Sequence, residues 1–233
     1  MQLKRRDDGF TLIELLMSIA ILGIIAFPLG NAVISYFHNT DATVARLGES
    51  HDAQIAAAYF AQDIESLGVR NWTSGSYDAA TKTFLLQQSV EVPQGGVPVS
   101  YNSGLYPCGA AGTPDALLRI AWDDFSAGGA TPTPPPQIRV AYVVELTATE
   151  TQLHRITCTS SAPLTPTSDV VIVHHLDPAH IPVVTCLTST GSTSCTGTGT
   201  AVPQYLSLPL TIKDSADTDP LYIVTLTGQR RQT

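Results

Sequence analysis

Hydrophobic and polar positions divide the chain into regions of different period. From Phe10 to Phe27 the side chains are apolar except for Thr11, Glu14 and Ser18. About 18 such residues suffice for a helix to cross a bilayer. Lys4, Arg5 and Arg6 precede them and should stay on the cytoplasmic side. A carboxylate within such a segment is costly in lipid and is usually kept for a function, which makes Glu14 a candidate functional residue. Pro28 removes a helical hydrogen bond and, with Gly30, marks where the helix should bend or loosen. Farther on, Ala53, Ala57, Phe60, Ala61, Ile64 and Leu67 recur at helical spacing as one apolar stripe. Gln54, Gln62, Asp63 and Glu65 fall on other faces, and Gly68 is a natural C-cap. One helix from Phe10 to Leu67 would be on the order of 85 Å long.

Beyond Gly68 the period shortens to that of strands. Thr83–Val92 and Leu117–Trp122 are the first, separated by a Pro- and Gly-rich loop, Pro93–Pro114. Asp123–Pro136 is a second loop with polyproline character. Ile138–Leu146 and Gln152–Cys158 predict an antiparallel hairpin turning through Thr147–Thr151. Val170–Leu176, Val183–Leu187, Tyr205–Ile212 and Leu221–Leu226 are further strands, and Gly228–Thr233 reads as a polar tail.

The stretch Gly9-Phe10-Thr11-Leu12-Ile13-Glu14, with its basic leader and apolar run, closely resembles the prepilin N-terminus of type IV pilins and type II secretion pseudopilins. The resemblance implies cleavage between Gly9 and Phe10, N-methylation of the Phe10 amine, and an assembly role for Glu14. It also implies that Pro28 and Gly30 are sites where the helix melts on entering a filament, against a static kink as the plain alternative. The segment Ala58–Gly68 resembles the helix end of J-type minor pseudopilins and their pilus counterparts, where an apolar pair and an Asp precede a closing Gly. Val140, Tyr142, Leu153 and Arg155 resemble the same subfamily's I-x-Y strand turning into an L-x-R strand.

Composition narrows the rest. The formal charge is −8, and a leader with three basic and two acidic residues leaves the processed chain at −9. A general nucleic-acid binder would show a basic face, so nucleic acid is not an expected partner; only Arg230-Arg231 could form a local patch. All four cysteines lie beyond the apolar segment, on the side expected to be oxidising. Cys186 and Cys195 flank a short polar loop and are the first choice for a bridge, leaving Cys108 with Cys158. Four cysteines permit three connectivities, and the choice stays open.

His174, His175, Asp177 and His180 are the densest group of metal-capable side chains. On a strand His174 and His175 point to opposite faces, so only His175, Asp177 and His180 could converge, and a solvated strand end is the expected reading. Asp123-Asp124 and Asp214, Asp217 and Asp219 are acidic loop clusters that are expected to be solvated turns; calcium is the cofactor they would take, though the EF-hand spacing is absent. Asn71-Trp72-Thr73 fits a glycosylation acceptor. No G-x-S-x-G elbow, P-loop or H-E-x-x-H occurs, and the chain reads as non-enzymatic with no cofactor.

The expectation is an α+β, pilin-like protein. It comprises leader 1–9, transmembrane and assembly helix 10–30, amphipathic half-helix 31–68, and β-rich head 69–233, a long helix packed on an antiparallel sheet. Implied partners are the prepilin peptidase/methyltransferase, other pilin or pseudopilin subunits, an inner-membrane assembly platform and membrane lipid. The N-terminus would be cytoplasmic and the head extracytoplasmic. A minor component acting at the tip or in initiation fits the large, irregular head. A DNA-contacting competence pilin and a signal-anchored exported protein without an assembly role are the alternatives.

Overall fold

Helix α1 runs unbroken from Leu12 to Ser66, through Pro28 and Gly30. The computed structural model describes residues 11–94, 97–127, 134–188, 191–213 and 221–231. The chain forms two compact units, Met1–Gly48 and Glu49–Thr233, with α1 contributing to both. In the first, the large apolar side chains from Leu12 to Leu47 are exposed.

The second unit is built on the end of α1 and three antiparallel sheets, so the fold is α+β. Strands β1 (Tyr77–Asp78) and β2 (Thr83–Phe84) pair with each other. Strands β3 (Val90–Glu91), β4 (Ala116–Asp123), β5 (Gln137–Leu146), β6 (Thr151–Thr159) and β7 (Ser168–Val173) form a five-stranded meander in chain order. Strands β8 (Thr185–Thr188), β9 (Gly191–Ser192), β10 (Tyr205–Ile212) and β11 (Tyr222–Gln229) form a sheet ordered β11-β10-β8-β9.

Three features depart from the sequence pattern. Thr83–Val92 is not one strand, because Leu85–Ser89 instead satisfies the segment leaving the helix. Asn71 N–H donates to the Leu85 carbonyl at 2.9 Å and Gln87 N–H to that of Val69 at 2.7 Å. Val69 N–H also donates to the Ser89 hydroxyl at 2.9 Å. Gly228 and Gln229 are not tail but the end of β11, opposite Leu206 and Tyr205. Gly68 ends α1, at φ 150°, by pairing sideways with β4. Its N–H donates to the Ala121 carbonyl, and its own carbonyl accepts from Asp123 N–H, both at 3.2 Å.

The helix stripe also shifts. Ala53, Ala56, Phe60, Asp63, Ile64 and Leu67 are buried, whereas Ala57 is half-buried and Ala61 exposed. Phe60, Ile64 and Leu67 share one core with Leu118, Ile120, Val140 and Leu153 of the larger sheet and Leu206, Leu208 and Leu226 of the smaller. At Gly228 the helix and β11 touch: a Cβ there would lie 2.5 Å from the Ile64 Cβ. Asp63 belongs to the stripe because Arg155 neutralises it, with Nη2 2.6 Å from Oδ1.

A second buried charge fixes the Pro93–Pro114 loop. Arg119 on β4 is fully buried and sits opposite Glu91 of β3. Its guanidinium donates to the carbonyls of Ser100, Ser103 and Tyr106 at 2.7–2.8 Å. Glu91, 3.7 Å away, accepts the N–H groups of Leu105 and Tyr106 at 2.6 and 2.9 Å. The Cys108–Cys158 disulfide ties the same loop to β6, and Cys186–Cys195 closes the short loop after β8.

Candidate functional site: the N-terminal apolar helix

Leu12–Thr40 is apolar enough, at 29 residues and mean hydropathy 2.4, to cross a bilayer, and none of its most apolar window is buried within the chain. Within it Glu14 is not idle. The N–H and hydroxyl of Thr11 donate to Glu14 Oε2 at 3.3 and 3.2 Å. Glu14 N–H returns a bond to the Thr11 carbonyl at 3.0 Å and approaches its hydroxyl at 3.4 Å. This is a capping box: two orphan donors at a helix start are satisfied reciprocally by an N-cap hydroxyl and an acid three residues on.

Thr11 is the residue that sequence reasoning missed, although its signal, T-x-x-E ahead of an apolar run, is plain in Thr11-Leu12-Ile13-Glu14. Ser18 donates to the Glu14 carbonyl at 2.8 Å, which hides a hydroxyl that would otherwise face an apolar solvent. The box points the Glu14 carboxylate toward the N-terminal end of the helix, where a positive dipole end also favours it. Gly9 and Phe10 lie outside the described residues.

A family model described as the prokaryotic N-terminal methylation motif matches residues 4–29. The chain carries a type IV prepilin-like signal. The matched span takes in the basic leader, Gly9, Phe10, Glu14 and Pro28, and stops one residue before Gly30. No curated protein matches the chain. This signal and the apolar helix that begins at Leu12 fit a membrane-anchored, exported protein, and the motif's family is a structural one.

The other candidate residues fall into place elsewhere. His174 and His175 do not point apart, because β7 ends at Val173 and His175 adopts a positive φ of 55°. Both Nδ1 atoms lie 3.2 Å from the Glu150 carboxylate instead. Those contacts, hydrogen bonds from Gln152 and His174 above all, hold the Glu150 carboxyl low against the burial that would raise it. His180 pairs with Asp177 while His175 faces Glu150, and among the described residues no group of three metal-capable side chains gathers.

Asp123 is not a solvated turn residue. It is buried and accepts Arg70 N–H at 2.9 Å and the Trp72 indole at 3.0 Å. Burial pushes its carboxyl up, against those two donors. Asp214, Asp217 and Asp219 lie outside the described residues. Asn71 Oδ1 accepts both the N–H and hydroxyl of Thr73, at 3.2 and 3.0 Å. Of the tail pair, Arg230 is buried and Arg231 is exposed beside Glu65, which leaves no two-arginine surface patch.

Proposed function

We propose that this chain is a minor pilin or pseudopilin: a structural, non-enzymatic subunit cut after Gly9 by prepilin peptidase and methylated on the Phe10 amine. It then assembles through its N-terminal helix into a type IV pilus or secretion pseudopilus, at the tip or in initiation. The observation that carries this reading is the matched motif with Glu14 set into an apolar helix. In a bundle of apolar helices a carboxylate must find a cationic partner. The Phe10 amine of a neighbouring subunit is such a cation at the correct depth, and methylation leaves its charge in place. That pair sets axial register between subunits, a specificity role like that of single polar residues in coiled coils. Before cleavage the basic leader holds the N-terminus on the cytoplasmic side and the head outside. The head's size and its two disulfide-braced sheets favour a minor component. The calcium reading of Asp214, Asp217 and Asp219 is no part of this proposal.

Intact mass and N-terminal sequencing of membrane-extracted protein, expressed with and without prepilin peptidase, test the proposal. A chain beginning at Phe10 with one added methyl group, only when the peptidase is present, is expected. A chain still starting at Met1, or cut beyond Ala26, overturns it. Glu14→Ala should leave processing intact and abolish incorporation; unchanged function with that substitution would support an anchored exported protein.

A further inference from the structure

Five separate segments of the Glu49–Thr233 unit meet at a pocket of about 560 Å³, within the range of small-ligand sites, about 300–1,000 Å³. Hydrogen bonds fix its walls to one another. Asn71 N–H donates to the Leu85 carbonyl at 2.9 Å, and Gly199 N–H to that of Leu86 at 2.7 Å. Buried Tyr106 donates its hydroxyl to the Gln88 carbonyl. Walls tied in this way leave little to be ordered when a ligand enters. Four carboxamides line the pocket, and each spends one end on the protein. Asn71 Oδ1 accepts from Thr73 and Gln137 Oε1 from Arg139. Gln87 and Gln88 donate through Nε2 to the Arg70 and Val90 carbonyls, at 3.1 and 2.9 Å. Among the described residues the other ends, the NH₂ groups of Asn71 and Gln137 and the side-chain carbonyls of Gln87 and Gln88, have no protein partner. Nor does any described charged side chain line this pocket, whereas three other pockets each carry an acid together with an Arg or Lys.

We propose that this pocket binds a neutral saccharide. A sugar hydroxyl both donates and accepts, so it can engage the two open NH₂ groups and the two open carbonyls alike. A charged ligand would give up water without meeting a counter-charge. A wholly apolar one would cover the amides without bonding them. Leu85 and Leu105, each about half exposed, also line the pocket and offer apolar contact to the C–H face of a sugar ring. The pocket lies wholly in the Glu49–Thr233 unit, so the proposal does not depend on the assembly reading of the N-terminal helix.

The test uses the full-length chain in a polyoxyethylene detergent, since a sugar-headed one would compete. The probes are cellobiose, lactose and di-N-acetylchitobiose, with chitobiose at pH 6 as a disaccharide of the same rings bearing ammonium groups. At least one neutral disaccharide should saturate and shift the side-chain NH₂ signals of Asn71 and Gln137, while chitobiose binds at least about tenfold more weakly than the tightest of them. Gln87→Ala removes one acceptor and should weaken that disaccharide about three- to tenfold. Because Gln87 also bonds the Arg70 carbonyl, a second variant separates binding from folding. Thr198 is exposed on the pocket's wall and its side chain caps nothing, so Thr198→Trp should block the disaccharide while leaving the melting temperature unchanged. Failure of all three neutral disaccharides to saturate, equal binding of chitobiose, or undiminished binding by folded Thr198→Trp would each overturn the proposal.

Discussion

The guanidinium of Arg155 meets the carboxylate of Asp63 side-on, Nε to Oδ2 at 2.7 Å and Nη2 to Oδ1 at 2.6 Å. This joins the last turn of α1 to the middle of the larger sheet across 92 residues of sequence. Tyr142, opposite Arg155 on β5, adds its hydroxyl to Asp63 at 2.7 Å, and Tyr59 places its ring 5.0 Å from the same guanidinium. Burial alone would lower the Arg155 pKa; the bonds and charge of Asp63 more than offset it and leave it raised.

Removing one side of a buried pair leaves the other charge without compensation. Asp63→Ala should therefore destabilise the Glu49–Thr233 unit by about 3–5 kcal/mol. Asp63→Ala/Arg155→Met should recover much of that loss. Urea denaturation followed by circular dichroism measures both; a cost below about 1 kcal/mol for Asp63→Ala would mean that the pair only orients the helix.

Alkaline pH should expose the same network. Burial, then the charge of Asp63, pushes the Tyr142 hydroxyl well above its usual range. Tyr106, whose hydroxyl donates to the Gln88 carbonyl, is raised chiefly by burial and then by Glu91. For a group whose folded pKa exceeds its unfolded value of about 10, the unfolded chain releases the proton first. The stabilisation is whole below about pH 10 and is lost as pH rises further. Tyrosinate absorbance should show a slow phase that coincides with loss of the sheet signal, and Tyr142→Phe should shrink that phase.

Gly228 tests the contact between helix and smaller sheet. A Cβ there would fall 2.5 and 2.7 Å from Ile64 Cβ and Cγ1, closer than atoms pack, so α1 or β11 must move. Overpacking of this kind costs about 1–3 kcal/mol. Gly228→Ala should lower the unfolding free energy from urea titration by that amount and the midpoint with it, whereas Thr227→Ala, exposed next to it, should change both little.

The N-terminal helix and the β5–β6 hairpin were legible because their signals are local: a long apolar run, and strand-forming segments joined by a four-residue turn. Val90–Glu91 was not, since what pulls it from Thr83–Phe84 is the demand of the Val69 and Asn71 main chain for partners at Leu85, Gln87 and the Ser89 hydroxyl. Asp63 was assigned to a solvent face by periodicity, which ranks a carboxylate as polar regardless of a distant arginine. Asp123, read as a solvated loop residue, is buried against the Arg70 N–H and the Trp72 indole, and Arg119 is held by carbonyls that a sequence does not display. Glu14 stood out as the one acid in an apolar run. Its cap, Thr11, was overlooked because a threonine is unremarkable there unless read with the acid three residues on.

The two disulfides should contribute unequally, and by loop length rather than location. Cys108–Cys158 spans 50 residues of sequence and Cys186–Cys195 spans 9. In the chain-entropy model the first removes about 4 kcal/mol of unfolded-state freedom and the second about 2.5 kcal/mol. Packing sharpens the difference. Cys108 and Cys158 lie in a cluster with Val99, Ala116, Ala141, Val143 and Ile156, and the loop they hold is also clamped by Arg119 and Glu91. Cys108→Ser/Cys158→Ser should therefore cost more stability than Cys186→Ser/Cys195→Ser in paired urea titrations. Because Arg119 still grips Ser100, Ser103 and Tyr106, the first variant should fold at low temperature; combining it with Glu91→Ala should not. Equal losses from the two cysteine pairs would show that the Arg119 clamp already fixes the long loop, and that the bridge there adds only local packing.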